Sequence, residues 1–190
     1  STETDPLVRE FEVKRSRNAS SEILAAAREV TARVGAGKLT IEAVAREIGM
    51  SKGGVLYNFP SKQALLSALL REMIDEHLES MDSVDQNRPH ALLHGQLNSL
   101  AASCDLKENL AMAILAAAAE SPEFLDPLRT VFEADQRKIT SETTDPIGAH
   151  IILAALDGLR FQHLLGMPPY DSDTREKMQH RLESMINELR

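Results

Sequence analysis

Four sets of residues in this 190-residue chain have types and spacings that can do chemistry. His90 and His94 stand at i and i+4, which places two imidazoles on one helix face, as a zinc site requires. The Glu of the zinc-protease pattern is missing and no third ligand is evident, so no metal site is expected. Cys104 with a distant His would make a nucleophile pair, yet a lone Cys is more simply a buried, inert thiol. Asp157 and Arg160 share an apolar helix and read as an intrahelical or intersubunit polar contact. Glycine-rich phosphate loops are absent. No catalytic residue and no cofactor are expected.

The fourth set is Gly49–Lys62, "GMSKGGVLYNFPSK". Ser51 has the chemistry of a helix N-cap. Val55, Leu56 and Phe59 supply an apolar face. Between cap and face stand Gly53 and Gly54, each costing on the order of 1 kcal/mol relative to Ala inside a helix. A helix whose tip must approach another backbone closely explains both. The major groove of DNA is about 12 Å wide, and side chains at a helix tip set how near that helix can come. Glycines remove them, leaving backbone N–H groups and the positive end of the helix dipole to meet phosphate. Lys52 is then the one long donor at the tip.

The elements that must position this tip are legible on either side. Ile23, Ala27, Val30 and Val34 recur at helical spacing from Ser20 until Gly35–Gly37 stops them. Thr40 caps a second helix with the stripe Ile41, Val44, Ala45 and Ile48, which Gly49 ends as a left-handed residue. Two short helices, near 41–48 and 52–58, joined by a tight glycine turn, form a helix-turn-helix. Val55, Leu56 and Phe59 are expected to pack on Ile23, Ala27, Val44 and Ile48. Ser61 then caps a longer helix running to about Asp82.

Further helices are expected near 90–104, 107–120, 123–142, 146–166 and 173–189, giving an all-α chain of about nine. Residues 1–17 are polar and are expected to form a mobile, basic-ended arm. Residues 18–62 are expected to form the helix-turn-helix domain, and 63–190 a helical body. Ile151, Ile152, Leu153, Leu156, Leu159 and Leu164 make a helix apolar on more than one face. Such a helix must be buried on both sides, with either a second subunit or the rest of the monomer's own core on the second of them.

Charge follows the same division. The net charge is −8, yet residues 13–62 carry nine Lys/Arg against four acids. A basic segment joined to an acidic body fits an electrostatic footprint for a polyanion. One cysteine excludes an internal disulfide and fits a reducing compartment. With no apolar run of about 18 residues and no signal-peptide pattern, the expected location is the cytosol, with no membrane partner.

"LTIEAVAREIGMSKGGVLYNFPSKQALLSALL", Leu39–Leu70, with "EILAAAREV" upstream, resembles the N-terminal DNA-binding segment of the TetR (tetracycline repressor) family of bacterial transcriptional regulators. The resemblance covers roughly residues 20–70; beyond them it is one of size and helix number. It implies phosphate contacts from Thr40 and Lys62, and DNA contacts from Ser51, Lys52, Gly53, Gly54, Tyr57 and Asn58. The family usually reads Tyr-x-His-Phe before Pro-Ser-Lys, whereas this chain has Leu56-Tyr57-Asn58-Phe59. The tyrosine is displaced by one residue, about 100° around a helix. Asn58 reads equally as a partner for adenine and as a helix C-cap, so which of Tyr57 and Asn58 touches a base stays open.

The resemblance further implies a homodimer through the last two helices, a near-palindromic operator in double-stranded DNA, and repression relieved by a small, largely apolar molecule. Met73, His77, Met112, Phe132 and Phe161 are the candidates to line its pocket. Two rival readings are a helical protein-interaction scaffold and a His/Cys-dependent enzyme. The first leaves the basic segment and the cap-turn-cap spacing unexplained, and the second lacks a constellation.

Overall fold

The computed structural model describes residues 6–35, 38–101, 105–167 and 170–190. Among them are nine α-helices and no strand. They are α1 (Pro6–Val34), α2 (Ile41–Glu47), α3 (Lys52–Asn58), α4 (Lys62–Asp82), α5 (Ala91–Ala101), α6 (Asp105–Glu120), α7 (Asp126–Ser141), α8 (Pro146–Leu164) and α9 (Ser172–Glu188). A 3-10 turn, Pro122–Leu125, leads into α7.

The first helix corrects the expected arm. It begins at Pro6, well before Ser20. Proline suits the first helical position because its missing N–H has no intrahelical partner to lose. Of the residues that follow, Leu7, Arg9, Glu10, Glu12, Lys14, Arg15 and Arg17 are good helix formers. Helical propensity here acts without an apolar stripe, the signal on which the sequence reading relied. The helix ends where glycine allows: Gly35 takes φ +81° and its N–H reaches Thr31 O at 2.9 Å.

The chain forms two compact units. One takes Ser1–Leu70 together with Asp105–Ser121; the other takes Arg71–Cys104 with Pro122–Arg190. In the first unit, Ile23, Ala27, Val30, Val44 and Val55 are fully buried, and α1 packs on α2, α3 and α6. The stripe Leu110, Ala113, Ile114 and Ala118 turns inward on α6. Asn109 Nδ2 donates to Ala32 O at 3.2 Å, fastening α6 to the end of α1. The sequence reading had placed these α6 residues in the body after residue 62. Their regularly spaced apolar side chains instead give α1 a third packing partner beside α2 and α3.

The second unit is built on α5, which packs against α7, α8 and α9. Its core joins Leu92, Leu93 and Leu97 of α5 to Ile139, Ile152, Leu153, Leu156, Leu182 and Ile186. Each such side chain contributes about 1.5–3 kcal/mol by leaving water. On the other side of α8, Ile147, Ile151 and Phe161 are exposed. The helix is therefore apolar on two faces and buried on one.

His94 lies inside this unit with 2% of its surface exposed. Burial lowers its pKa below the ordinary histidine value, helped by the nearby positive charge of Arg88 and opposed by Glu183 and a hydrogen bond with Asn187. The unfolded chain thus takes up a proton at a pH where the folded chain resists it. Folding stability is full above about pH 6.5 and falls as pH drops through that value. Urea titrations from pH 7.5 to 5 are expected to show this loss, with a slope of at most about 1.4 kcal/mol per pH unit from this one site. In His94→Gln the slope over the same range is expected to be visibly flatter.

Candidate functional site

The tip of α3 is constructed by three local devices. Thr40 Oγ1 accepts from Ala43 N at 3.1 Å and starts α2. Gly49, at φ +64°, lets Met50 N reach back to Ala45 O at 2.9 Å while Gly49 N bonds Arg46 O. This pair of bonds is a Schellman closure, and the left-handed turn between them favours glycine. Ser51 Oγ then accepts from Gly54 N at 3.1 Å and starts α3. Further on, Ser61 Oγ accepts from Ala64 N at 3.0 Å and starts α4.

The two glycines have different surroundings. A Cβ on Gly53 would meet only Ser51 Oγ, at 3.9 Å, so this position is open. A Cβ on Gly54 would lie 2.8 Å from Met50 Cγ and 3.0 Å from Met50 Sδ. Gly54 therefore makes room for Met50, the residue that closes the turn. Packing inside the turn is thus sufficient for Gly54, whereas nothing among the described residues calls for a glycine at Gly53.

Asn58 and Tyr57 also differ. Asn58 Nδ2 donates to Gly54 O at 3.0 Å, and Asn58 Oδ1 accepts from Ser20 Oγ at 3.1 Å. Both ends of its amide are used to hold α3 to itself and to α1. Tyr57 is 86% exposed, an unusual setting for a large aromatic ring. Thr40, Ser51, Lys52 and Lys62 are exposed as well. Lys52 Nζ meets Glu42 Oε1 at 2.6 Å, tying α3 to α2 and drawing the Glu42 carboxyl below its usual pKa. Arg33 forms a two-pronged pair with Glu47, which likewise lowers the pKa of that acid.

In the second unit a polar group crosses four helices. Asp135 Oδ2, on α7, accepts from His77 Nε2 of α4 at 3.2 Å and from Gln96 Nε2 of α5 at 3.2 Å. Arg160 of α8 donates to Gln96 O at 2.6 Å, to Ser99 Oγ at 2.7 Å and to Asp157 Oδ1 at 3.1 Å. Burial pushes the Asp157 carboxyl up and pulls the Arg160 guanidinium down, each opposed by the ion pair between them. Of the pocket candidates, His77 belongs to this group. Met73 precedes it by one turn on α4, and Phe132 precedes Asp135 by one turn on α7. Met112 lies in the other compact unit, and Phe161 is on the exposed side of α8.

Sequence reasoning missed Gln96 and Asp135. The signal for Gln96 was present: it falls in phase with Leu92, Leu93 and Leu97 on the apolar face of α5. Asp135 carries the same signal, since it falls in phase with Leu128, Val131 and Ile139 on the inward face of α7. Of the histidine pair, His90 Nε2 lies 3.3 Å from Leu189 O and His94 is buried. Among the described residues no group of three His, Cys, Asp or Glu is placed to hold a metal. Cys104 lies outside the described residues.

Comparison with known proteins covers both halves of the chain. A family model described as bacterial regulatory proteins, tetR family, matches residues 23–69. A second, described as tetracyclin repressor-like, C-terminal domain, matches residues 90–187. The HTH-type transcriptional regulator RutR of Escherichia coli (strain K12) is 28% identical over 159 residues, which are 81% of this chain and 73% of RutR. The crystal structure of a TetR transcription regulator from Haloarcula marismortui superposes with a TM-score of 0.71 at 20% identity, covering 92% of this chain and 100% of that one. The multidrug binding protein EbrR, solved with ethidium, gives a TM-score of 0.64 at 24% identity, covering 86% and 98%.

The contrast between Asn58 and Tyr57 is testable on the isolated protein. Asn58→Ala is expected to destabilise it by about 1–2 kcal/mol, because Ser20 and the Gly54 carbonyl lose their partner. Tyr57→Ala is expected to change stability by less than about 0.5 kcal/mol. Chemical denaturation of the two variants beside wild type measures both.

Proposed function

The chain belongs to the tetR family of bacterial regulatory proteins and is a DNA-binding transcriptional regulator, and on that premise we propose that it is a homodimeric repressor released from its operator by a small molecule. The observation that carries this reading is the tip of α3. A capped helix end presents Gly53 without neighbours, Lys52 and a largely exposed Tyr57. None of these serves the core. All three suit a surface that meets a polyanion at short range.

In this reading α3 lies in the major groove. Thr40 and Lys62 contact phosphate, and Ser51, Lys52, Gly53 and Tyr57 contact the DNA at the tip. Asn58 has the supporting role of holding α3 on α1, and Gly54 that of seating Met50. The dimer forms through α8 with α9. Supporting this is an exposed stripe on α8 made of Ile147, Ile151, Ala154, Ala155, Gly158 and Phe161. Large apolar side chains at its ends and small residues at its centre fit close packing of two copies. Phe161 thereby moves from pocket candidate to interface residue. The effector half is the second unit, whose polar group on α4, α5, α7 and α8 gives a small molecule something to bind. No helix among the described residues is long and apolar enough to cross a membrane.

A selection from random duplex DNA, followed by anisotropy titration at two salt concentrations, tests the reading. A near-palindromic winner with half-sites about 34–36 Å apart, or a multiple of that, is expected. Lys62→Ala should weaken binding to all sequences alike and lower the salt slope by roughly one, whereas Lys52→Ala should chiefly reduce affinity for the winner. Gly53→Leu should cost the winner about tenfold or more in affinity with the fold intact. Wild-type binding by all three variants would remove α3 from the DNA interface.

The dimer has its own test. Gly158→Arg places a long cation on the exposed stripe, where a side chain meets nothing within 4 Å in the single chain. Light scattering at micromolar concentration is expected to find the wild type dimeric and the variant monomeric and folded. A dimeric variant would place the interface elsewhere.

A further inference from the structure

The carboxamide of Gln96 is buried, with only 4% of the residue exposed, and its Oε1 has no hydrogen-bond partner. Its orientation is fixed by Asp135. The amide nitrogen faces the carboxylate, and a flipped amide would set oxygen against oxygen. One acceptor therefore stands unused at the junction of α5 and α7. A buried acceptor left unpaired is costly, which is why such groups mark places that something else completes.

The surroundings say what kind of group completes it. Asp157 pairs with the Arg160 guanidinium, while Asp135 acts on it from farther off and bonds His77 and Gln96 instead. Among the described residues the Asp135 carboxylate thus has no direct guanidinium partner, and it favours a donor that is also positively charged. His77 and Asp135 keep 30% and 16% of their side chains exposed, so the site can be reached from the edge between α4 and α7. Met73 and Phe132 lie one turn from those two residues on the same helix faces, offering apolar cover at the entrance.

The geometry points to an effector site in which Asp135 and Gln96 Oε1 receive the N–H donors of a small organic ammonium, with Met73 and Phe132 against its apolar body. This inference rests on the second unit being the effector half of the regulator. An entering ammonium replaces His77 as a donor to Asp135 and gives Gln96 its missing partner. The exchange releases the hydrogen bond that ties α4 to α7. Charge alone does not satisfy this site, because a quaternary ammonium has no N–H to give.

Three probes separate the terms: benzylammonium, benzyltrimethylammonium and benzyl alcohol. Each is titrated against the full chain by thermal unfolding. Benzylammonium is expected to raise the unfolding midpoint at millimolar concentration, and the other two to bind about tenfold more weakly or worse. Gln96→Met, which keeps the volume and removes the acceptor, should weaken benzylammonium by about tenfold, as should Asp135→Asn. The two variants guard against each other if one folds poorly. Equal binding of the quaternary compound, unchanged benzylammonium affinity in both variants, or no shift with any probe would each overturn the proposal. Operator binding is measured on the same preparations without amine. Its absence would count against the regulator reading, while the amine titration stands on its own result.

Discussion

The left-handed turn at Gly49 is the constraint on which the head depends. It fixes the direction in which α3 leaves α2, and with it everything that α3 displays. Helices of seven residues are too short to persist alone, since about 12–15 residues are needed even for good sequences. Two things hold them here. Thr40 and Ser51 satisfy N–H groups that the first turns leave unpaired, each cap being worth about 1 kcal/mol. Val44, Ala45 and Val55 bury themselves in the unit whose backing helix is α1. Gly53 and Gly54 weaken α3 by a comparable amount, which the caps and the burial offset. The tip can then be bare of bulky side chains and still rigid.

Rigidity at the tip is reinforced from outside the turn. Asn58 bridges from Gly54 to Ser20, so the far end of α3 is pinned on α1. Lys52 and Glu42 span the two short helices, and Arg33 with Glu47 spans α1 and α2. These ion pairs are exposed, and pairs of that kind add little to stability. Their use is positional. Lys52 is held beside the helix tip, in reach of a phosphate or base that can compete with the Glu42 carboxylate for it. On the proposed reading, Glu42 in turn puts a negative charge next to the DNA-facing surface.

What could be read from the sequence was what local chemistry decides. The caps at Thr40, Ser51 and Ser61, the glycine stop at Gly49 and the doubly apolar α8 follow from residue type and spacing, and the structure has each of them. What could not be read depends on which neighbour a side chain meets. Asn58 offered a base contact and a cap with equal merit; only the distance to Ser20 distinguishes its use. Gly53 and Gly54 are identical in sequence terms, and Met50, folded back over one of them, makes them different. The start of α1 was missed because good helix formers without an apolar stripe leave no periodicity. The partner of α6 was missed because a short apolar stripe does not say which surface it will cover. Asp135 and Gln96 each interrupt an apolar stripe, but spacing along two separate helices does not say that they converge, with His77, on one another.

A ligand moves a conformational equilibrium only by the difference in its affinity for the two states. A repressor of this kind therefore needs an interaction that the ligand alters and that the DNA-binding arrangement uses. Helix α4 carries Lys62 in its first turn and His77 about four turns later. The bond from His77 to Asp135 is the link from that helix to α7 that an incoming donor would exchange for its own. A ligand that packed only on Met73 and Phe132 could bind equally well with the link intact or broken, and would shift nothing however tightly it bound. One that takes over the Asp135 acceptor cannot. On the proposed site, it is the polar group around Asp135, rather than the apolar side chains beside it, through which occupancy would change how α4 is held.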